Sequence, residues 1–566
     1  AVEDGVTALY GRTTAPAPGA PDEHLVETVT LDQVATTRAY DRLGRLVDVQ
    51  RGGESWQLAW QPTGMLHSIT RGGLVETRTY QPNALQRLAT LTVADAGGGA
   101  THYDASYVWR LGSVDDPLPE GDPTQPAATL SVTTGDGVTD YWFDQQWRLE
   151  QVVYPEADGE RRLHHYTLAG DGTRLMETVW RTWDDAGNPA IEQVERFRHE
   201  YDAAGRLDAV RRDVWAADAW VEDSPGLDAD DNPLPRLDVA FDPLGRMRTW
   251  VEDGQTRTFT WDAESRMVQA TLGAGAPGGG ETWNYAYNWR DQRTLRVGGA
   301  QGAEWAYAYR WGADGLLTEQ VTAPGGAVTD RAFVQGAGLT LGVVSGAGVT
   351  AFGHDHLGSP VVTRAPGGAV DTRRFGARGA LASGDAPAHG EVQVGYTGHG
   401  FDPESGLVYA QARYYATGLG VFLSEDPYEG SLGEPLSLGR WGYVHGNPVE
   451  LVDPDGRIGT PAQRAEEWDR EDTPKSEVFL GFLRSSCDGN LHCAEHLWRL
   501  NREVNLSHSE AAEQGSQFLQ RNREKCEDEH CTVLMKAYRR VPGQMEAGVV
   551  GAVVAGANID REVQTI

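Results

Sequence analysis

The sequence predicts a mainly β chain carrying a small all-α module at its C-terminal end. Three observations predict it: near-copies of one short motif, alternation of polar and apolar residues between the copies, and a sharp break in composition late in the chain. The motif reads YDRLGRL at Tyr40, FDQQWRL at Phe143, YDAAGRL at Tyr201, FDPLGRM at Phe241 and WDAESRM at Trp261. Tyr40, Trp60 and Tyr80 stand at a period of about 20 residues, and Tyr287 and Tyr309 continue it with small drifts. A repeat of that length holds two strands and their turns. Such a unit cannot bury a face alone, so successive units must pair into one sheet.

Each part of the motif has a structural role in this reading. The aromatic begins a turn and packs on the sheet, Asp accepts hydrogen bonds from turn amides, and Gly supplies a positive φ. The Arg and the following Leu or Met start the return strand on opposite faces. So many copies argue against catalysis by these aspartates. Stretches rich in Pro and Gly, such as APAPGAP from Ala15 and DDPLPEGDPTQPA from Asp115, read as loops within the wall because repeats resume after each. One continuous antiparallel sheet is expected to reach about residue 456.

The 566 residues carry 82 acidic and 49 strongly basic side chains, a formal charge of -33. That field repels phosphates, which argues against nucleic acid or an anionic membrane as partner of the shell surface. No apolar run reaches the roughly 18 residues of a membrane-spanning helix; the longest is Ala547 to Ala557. The first residue is Ala, so the numbered start is read as a processed end or a cut from a longer chain.

The segment from Phe352 to Arg457 is the most specific in the chain. It reads GHDHLGSPVVTRAPGGAVDTRRFGARG, then YTGHGFDPESGLVYAQARYYATGLGVFLSEDP, then RWGYVHGNPVELVDPDGR. With the repeats, these blocks resemble the RHS, or YD-repeat, proteins: bacterial polymorphic toxins, the cage component of insecticidal toxin complexes, and animal teneurins. The resemblance covers residues 1 to about 457. It implies a β-strip spiralling into a hollow shell (1–350), an RHS-associated core that plugs it (351–457), and a variable C-terminal domain (458–566). It further implies that the C-terminal domain is a toxin enclosed by the shell, with a secretion apparatus and an immunity protein as partners, and a secreted or cell-surface location. No cofactor is implied.

Members of the family release that domain by self-cleavage of aspartyl-protease type, in which two adjacent carboxylates share a proton and activate water. The resemblance assigns the dyad to Asp426 in SEDP and Asp453 in VDPDG, with Asp455 as a weaker third, and the cut to the bond between Arg457 and Ile458. Two departures weigh against it. Val421 replaces an arginine expected before FLS, removing a charge beside the carboxylates, and Arg457 replaces a leucine suited to an apolar pocket. The chain is therefore expected to stay largely uncut.

His354 and His356, two apart, invite a metal reading, but no cysteine or further histidine cluster accompanies them, so no metal site is assigned. The four cysteines, Cys487, Cys493, Cys526 and Cys531, and all three lysines lie beyond residue 474. There the text turns helical, with apolar residues at three and four spacing in LHCAEHLWRLNREVN and SHSEAAEQGSQFLQRNREKC. Two disulfides are favoured over zinc, because the cysteine spacings and His492, His496 and His530 form no ligand pattern. Phe518 to Arg540 is similar to helical, disulfide-bearing, lysozyme-inhibitor-like periplasmic proteins. Glu495, His496, His508 and Glu510 read as solvated helix residues. The leading function is containment and delivery of a C-terminal effector; the alternative is a teneurin-like extracellular adhesion module whose helical domain binds a partner.

Overall fold

A computed structural model describes residues between 2 and 461, with breaks of which the longest are 17–22, 112–127, 226–234, 274–278 and 427–434, and with side chains from residue 35 to residue 457. The chain divides into two compact units, Ala1–Asp469 and Arg470–Ile566. The predicted helical module and its four cysteines lie outside the described residues. Among the described residues there is no α-helix, only three short 3-10 turns, and no helix long and apolar enough to cross a membrane.

One antiparallel meander runs from strand Leu9–Pro16 to strand Val370–Thr372, each strand pairing with the next. The exception is Leu207–Ala216, which pairs both with the short hairpin strand Ala219–Glu222 and with Leu237–Phe241. Strand registers slip between Ala39 and Tyr40, Ala59 and Trp60, Ala240 and Phe241, and Thr260 and Trp261. A β-bulge thus sits at the aromatic of each of these repeats. Bulges add local twist and bend, and repeating them along a strip makes it curl. Here it curls until strands Val328–Gly336 and Gly348–His354 lie against the earlier strands Leu46–Arg51 and Leu74–Tyr80, and the wall closes.

The turns show how the motif works. Asp242 Oδ1 accepts from the amides of Leu244 and Arg246 at 2.9 and 3.1 Å, while its Oδ2 pairs with the Arg246 Nε at 2.7 Å. The same geometry recurs at Asp41, Asp144, Asp202 and Asp262. The fourth turn position is left-handed: Gly205 has φ 77° and Gly245 72°, and Trp147 and Ser265 adopt φ 62° and 63° without being glycine. The arginine then donates onward to the next turn, from Arg45 Nη1 to the Gln61 carbonyl at 3.0 Å and from Arg206 Nη1 to the Asp242 carbonyl at 3.1 Å. The aromatic reaches backward: Trp60, Tyr80, Trp261 and Tyr287 donate to the carbonyls of Leu46, Leu66, Met247 and Met267. Each repeat is therefore tied to both neighbours. Asp242→Ala removes two amide acceptors and the Arg246 pair, and is expected to cost about 1–3 kcal/mol, read as a lowered urea midpoint.

The continuous sheet ends at Thr372, earlier than the expected residue 456. Beyond it, glycine, proline and charged residues replace alternation, and the chain folds into small separate sheets, of which Gly400–Asp402, Leu407–Ala410, Arg413–Ala416 and Val421–Phe422 form the largest. Leu407, Tyr409 and Tyr414 of this sheet, with Leu419 and Leu423 beside its last strand, cluster with wall residues Met247, Phe259, Trp283 and Tyr309. The segment that follows the wall thus covers the buried face of its middle strands.

Candidate functional site

The residues assigned to self-cleavage come together at the tip of the hairpin Leu407–Ala410 to Arg413–Ala416. Arg413 is buried and presents one nitrogen, Nη2, to Asp426 Oδ2 at 2.8 Å and to Asp453 Oδ2 at 3.3 Å. Its Nε donates to the Gly456 carbonyl, and its guanidinium lies over the Phe422 ring at 3.6 Å. Burial pulls the Arg413 pKa below the usual arginine value, against the two aspartates that hold it up. Asp453 is buried, and its Oδ1 accepts the Arg457 amide at 2.9 Å. Its carbonyl accepts from Nε2 of buried His399 at 2.7 Å, and burial lowers the pKa of that imidazole.

The turn carrying Asp453 is clamped to the hairpin tip. Ala412 donates to the Asp455 carbonyl at 3.1 Å and the Gln411 amide to the Pro454 carbonyl at 3.2 Å. Asp455 caps the same turn, its Oδ1 accepting the Arg457 amide at 3.2 Å. Gly456 has φ 78°, and a Cβ there would lie 2.1 Å from the Ala410 carbonyl oxygen. Only glycine fits.

A cation lies beside the carboxylates although Val421 supplies none: Arg413, in the ARYY block, bridges both. Arg457 enters no apolar pocket; its side chain is half exposed and approaches Asp291 at 3.7 Å. Val421 is half-buried and packs on the cluster that holds Leu419 and Leu423. Ile458 lies outside the described residues. What the geometry contains is one guanidinium nitrogen shared by two carboxylates.

A second charged cluster joins this segment to the wall. Asp402, fully buried, accepts from Arg293 at 2.6 and 2.9 Å and from Arg296 at 2.5 Å, while Arg296 also meets Glu404 at 3.4 Å. Burial, with Asp402 nearby, pushes the Glu404 pKa up to about 7 from 4.5. The folded chain therefore keeps a proton on Glu404 that the unfolded chain releases, and the stability this contributes is full below pH 4.5 and lost as pH rises through about 7. Comparing thermal unfolding of the natural protein with Glu404→Gln isolates this group from the buried histidines, whose lowered pKa values act in the opposite direction. The stability difference between the two is expected to shift by on the order of 3 kcal/mol between pH 4.5 and 7.5.

His354 and His356 have separate partners. His354 bonds to Glu76 at 3.1 Å and the Thr340 carbonyl at 3.0 Å, His356 to the Val449 carbonyl at 2.9 Å.

No family model matches the chain. Over 205 residues, 36% of its length, the chain is 28% identical to a tRNA3(Ser)-specific nuclease, WapA of Bacillus spizizenii, and over 61 residues it is 51% identical to the tRNA nuclease WapA of Bacillus subtilis. These matches span only 8% and 3% of the two relatives. Among solved structures, the Photorhabdus luminescens Tc holotoxin pore is similar at 15% identity and a TM-score of 0.30, over 80% of this chain and 30% of that one.

Sequence reasoning missed Arg413, His399 and Gly456. Their signal was present in the ARYY, TGHG and DPDG blocks, but which block meets which depends on hairpins that spacing does not reveal.

Proposed function

We propose that this chain is the shell segment of a secreted polymorphic toxin, holding residues 458–566 as its effector, with an immunity protein and a secretion apparatus as partners. What supports the reading is the repeat wall followed by an inward-packing segment, together with the likeness over part of the chain to the WapA nucleases. The Asp426–Arg413–Asp453 triad is the fastening that holds the last turn before residue 458 to the inner hairpin, and the chain remains joined at Arg457. The observation that carries this is the single Arg413 nitrogen shared by both carboxylates. Expressing residues 458–566 alone in bacterial cytoplasm and periplasm, with growth as readout, tests the effector role. Arrested growth in one compartment is expected. Unimpaired growth in both favours an adhesive, partner-binding module and overturns the toxin reading.

A further inference from the structure

The wall is closed by something other than a strand ladder. Strand Leu74–Tyr80 and strand Gly348–His354 approach each other, yet each already has hydrogen-bonded neighbours on both edges. They meet face to face, as do the neighbouring strands Leu46–Arg51 and Val328–Gly336. The late layer is small where the early one is large. A Cβ on Gly353 would sit 2.5 Å from Val93 Cγ1, one on Gly336 2.6 Å from Leu46 Cδ2, and one on Gly342 3.1 Å from Trp56 Nε1. Gly342 and Gly353 lie inside strands and Gly336 ends one; glycine otherwise weakens strand pairing, so close approach of the layers is what they provide.

A fully buried charged cluster lies across the overlap. Glu76 accepts from Arg71 at 2.8 Å and Arg78 at 2.9 Å on its own layer, and from the His354 amide at 3.0 Å and ring at 3.1 Å on the other. Arg71 also donates across the overlap to the Phe352 carbonyl. At the rim, Arg364 reaches from the late layer to Asp95.

We propose that this overlap is the seam of the shell, latched by Glu76, and that the wall parts here by local separation of the two layers while the ladders on either side stay paired. A strand ladder opens only by breaking backbone bonds along its whole length. Here separation breaks contacts that each involve a side chain and no ladder bond, so it precedes loss of the flanking ladders. The inference does not depend on the effector reading, since it concerns the wall alone.

Hydrogen exchange of the full-length chain, read by mass spectrometry, tests it. Glu76→Gln is expected to speed exchange of the His354 amide, which Glu76 accepts across the overlap, by about tenfold or more, with the ladder amides of residues 237–299 unchanged. Arg364→Ala, at the half-exposed rim, is expected to give a few-fold rise confined to the same amide. If Glu76→Gln fails to fold, the Arg364 variant decides alone. Exchange that rises equally around the wall, or a seam indifferent to the variants that fold, overturns the proposal.

Discussion

Asp402→Ala is expected to cost about 3–5 kcal/mol, because it leaves Arg293 and Arg296 buried without their main carboxylate. Arg293 is held further by the Tyr414 hydroxyl at 3.1 Å, and Arg296 lies 4.0 Å over the Tyr307 ring, but neither contact compensates a buried charge. Since Asp402 is on the inner segment and both arginines are on wall strand Arg293–Gly299, the loss separates two layers of one core. Thermal unfolding followed by tryptophan fluorescence should show a markedly lower midpoint. Asp402→Asn, keeping shape and some hydrogen bonds, should lose less. Equal losses in the two variants would mean that the lost charge alone sets the cost, whereas a loss confined to Asp402→Ala would mean that packing and not charge dominates the junction.

Gly456→Ala should have the second largest effect, and a local one. The added methyl meets backbone, the Ala410 carbonyl oxygen, which has no side-chain freedom to yield, and the left-handed φ adds its own strain. The turn from Asp453 to Arg457 must leave the hairpin tip, releasing Arg413 from the Gly456 carbonyl. Trypsin cutting after Arg457 is expected to accelerate by about tenfold or more, matching a strain of 1–3 kcal/mol. Cutting after Arg440, whose side chain pairs with Glu425, serves as the internal control.

Much of the wall was legible because its rules are local. Asp41, Asp202 and Asp242 accept amides within their own turns, as residue type and spacing dictate. The ties between repeats were not legible: Arg206 bonds to the Asp242 carbonyl and Tyr201 to the Arg174 carbonyl, and those neighbours exist only once the register is set. Nor was the role of Gly336, Gly342 and Gly353 legible, since the close packing of two layers that they serve depends on strands remote in sequence. At the candidate site the two aspartates were identifiable from the SEDP and DPDG blocks, whereas Arg413, remote from both in sequence, was not.

Denaturing electrophoresis of the purified full-length chain tests most directly whether the triad fastens or cuts. A fastening predicts one band at 61.6 kDa that persists on incubation, unchanged in Asp426→Asn and Asp453→Asn. Prompt conversion to two fragments joined at Arg457, abolished in Asp426→Asn, would contradict it and show that the two carboxylates work as a protease despite Arg413 between them.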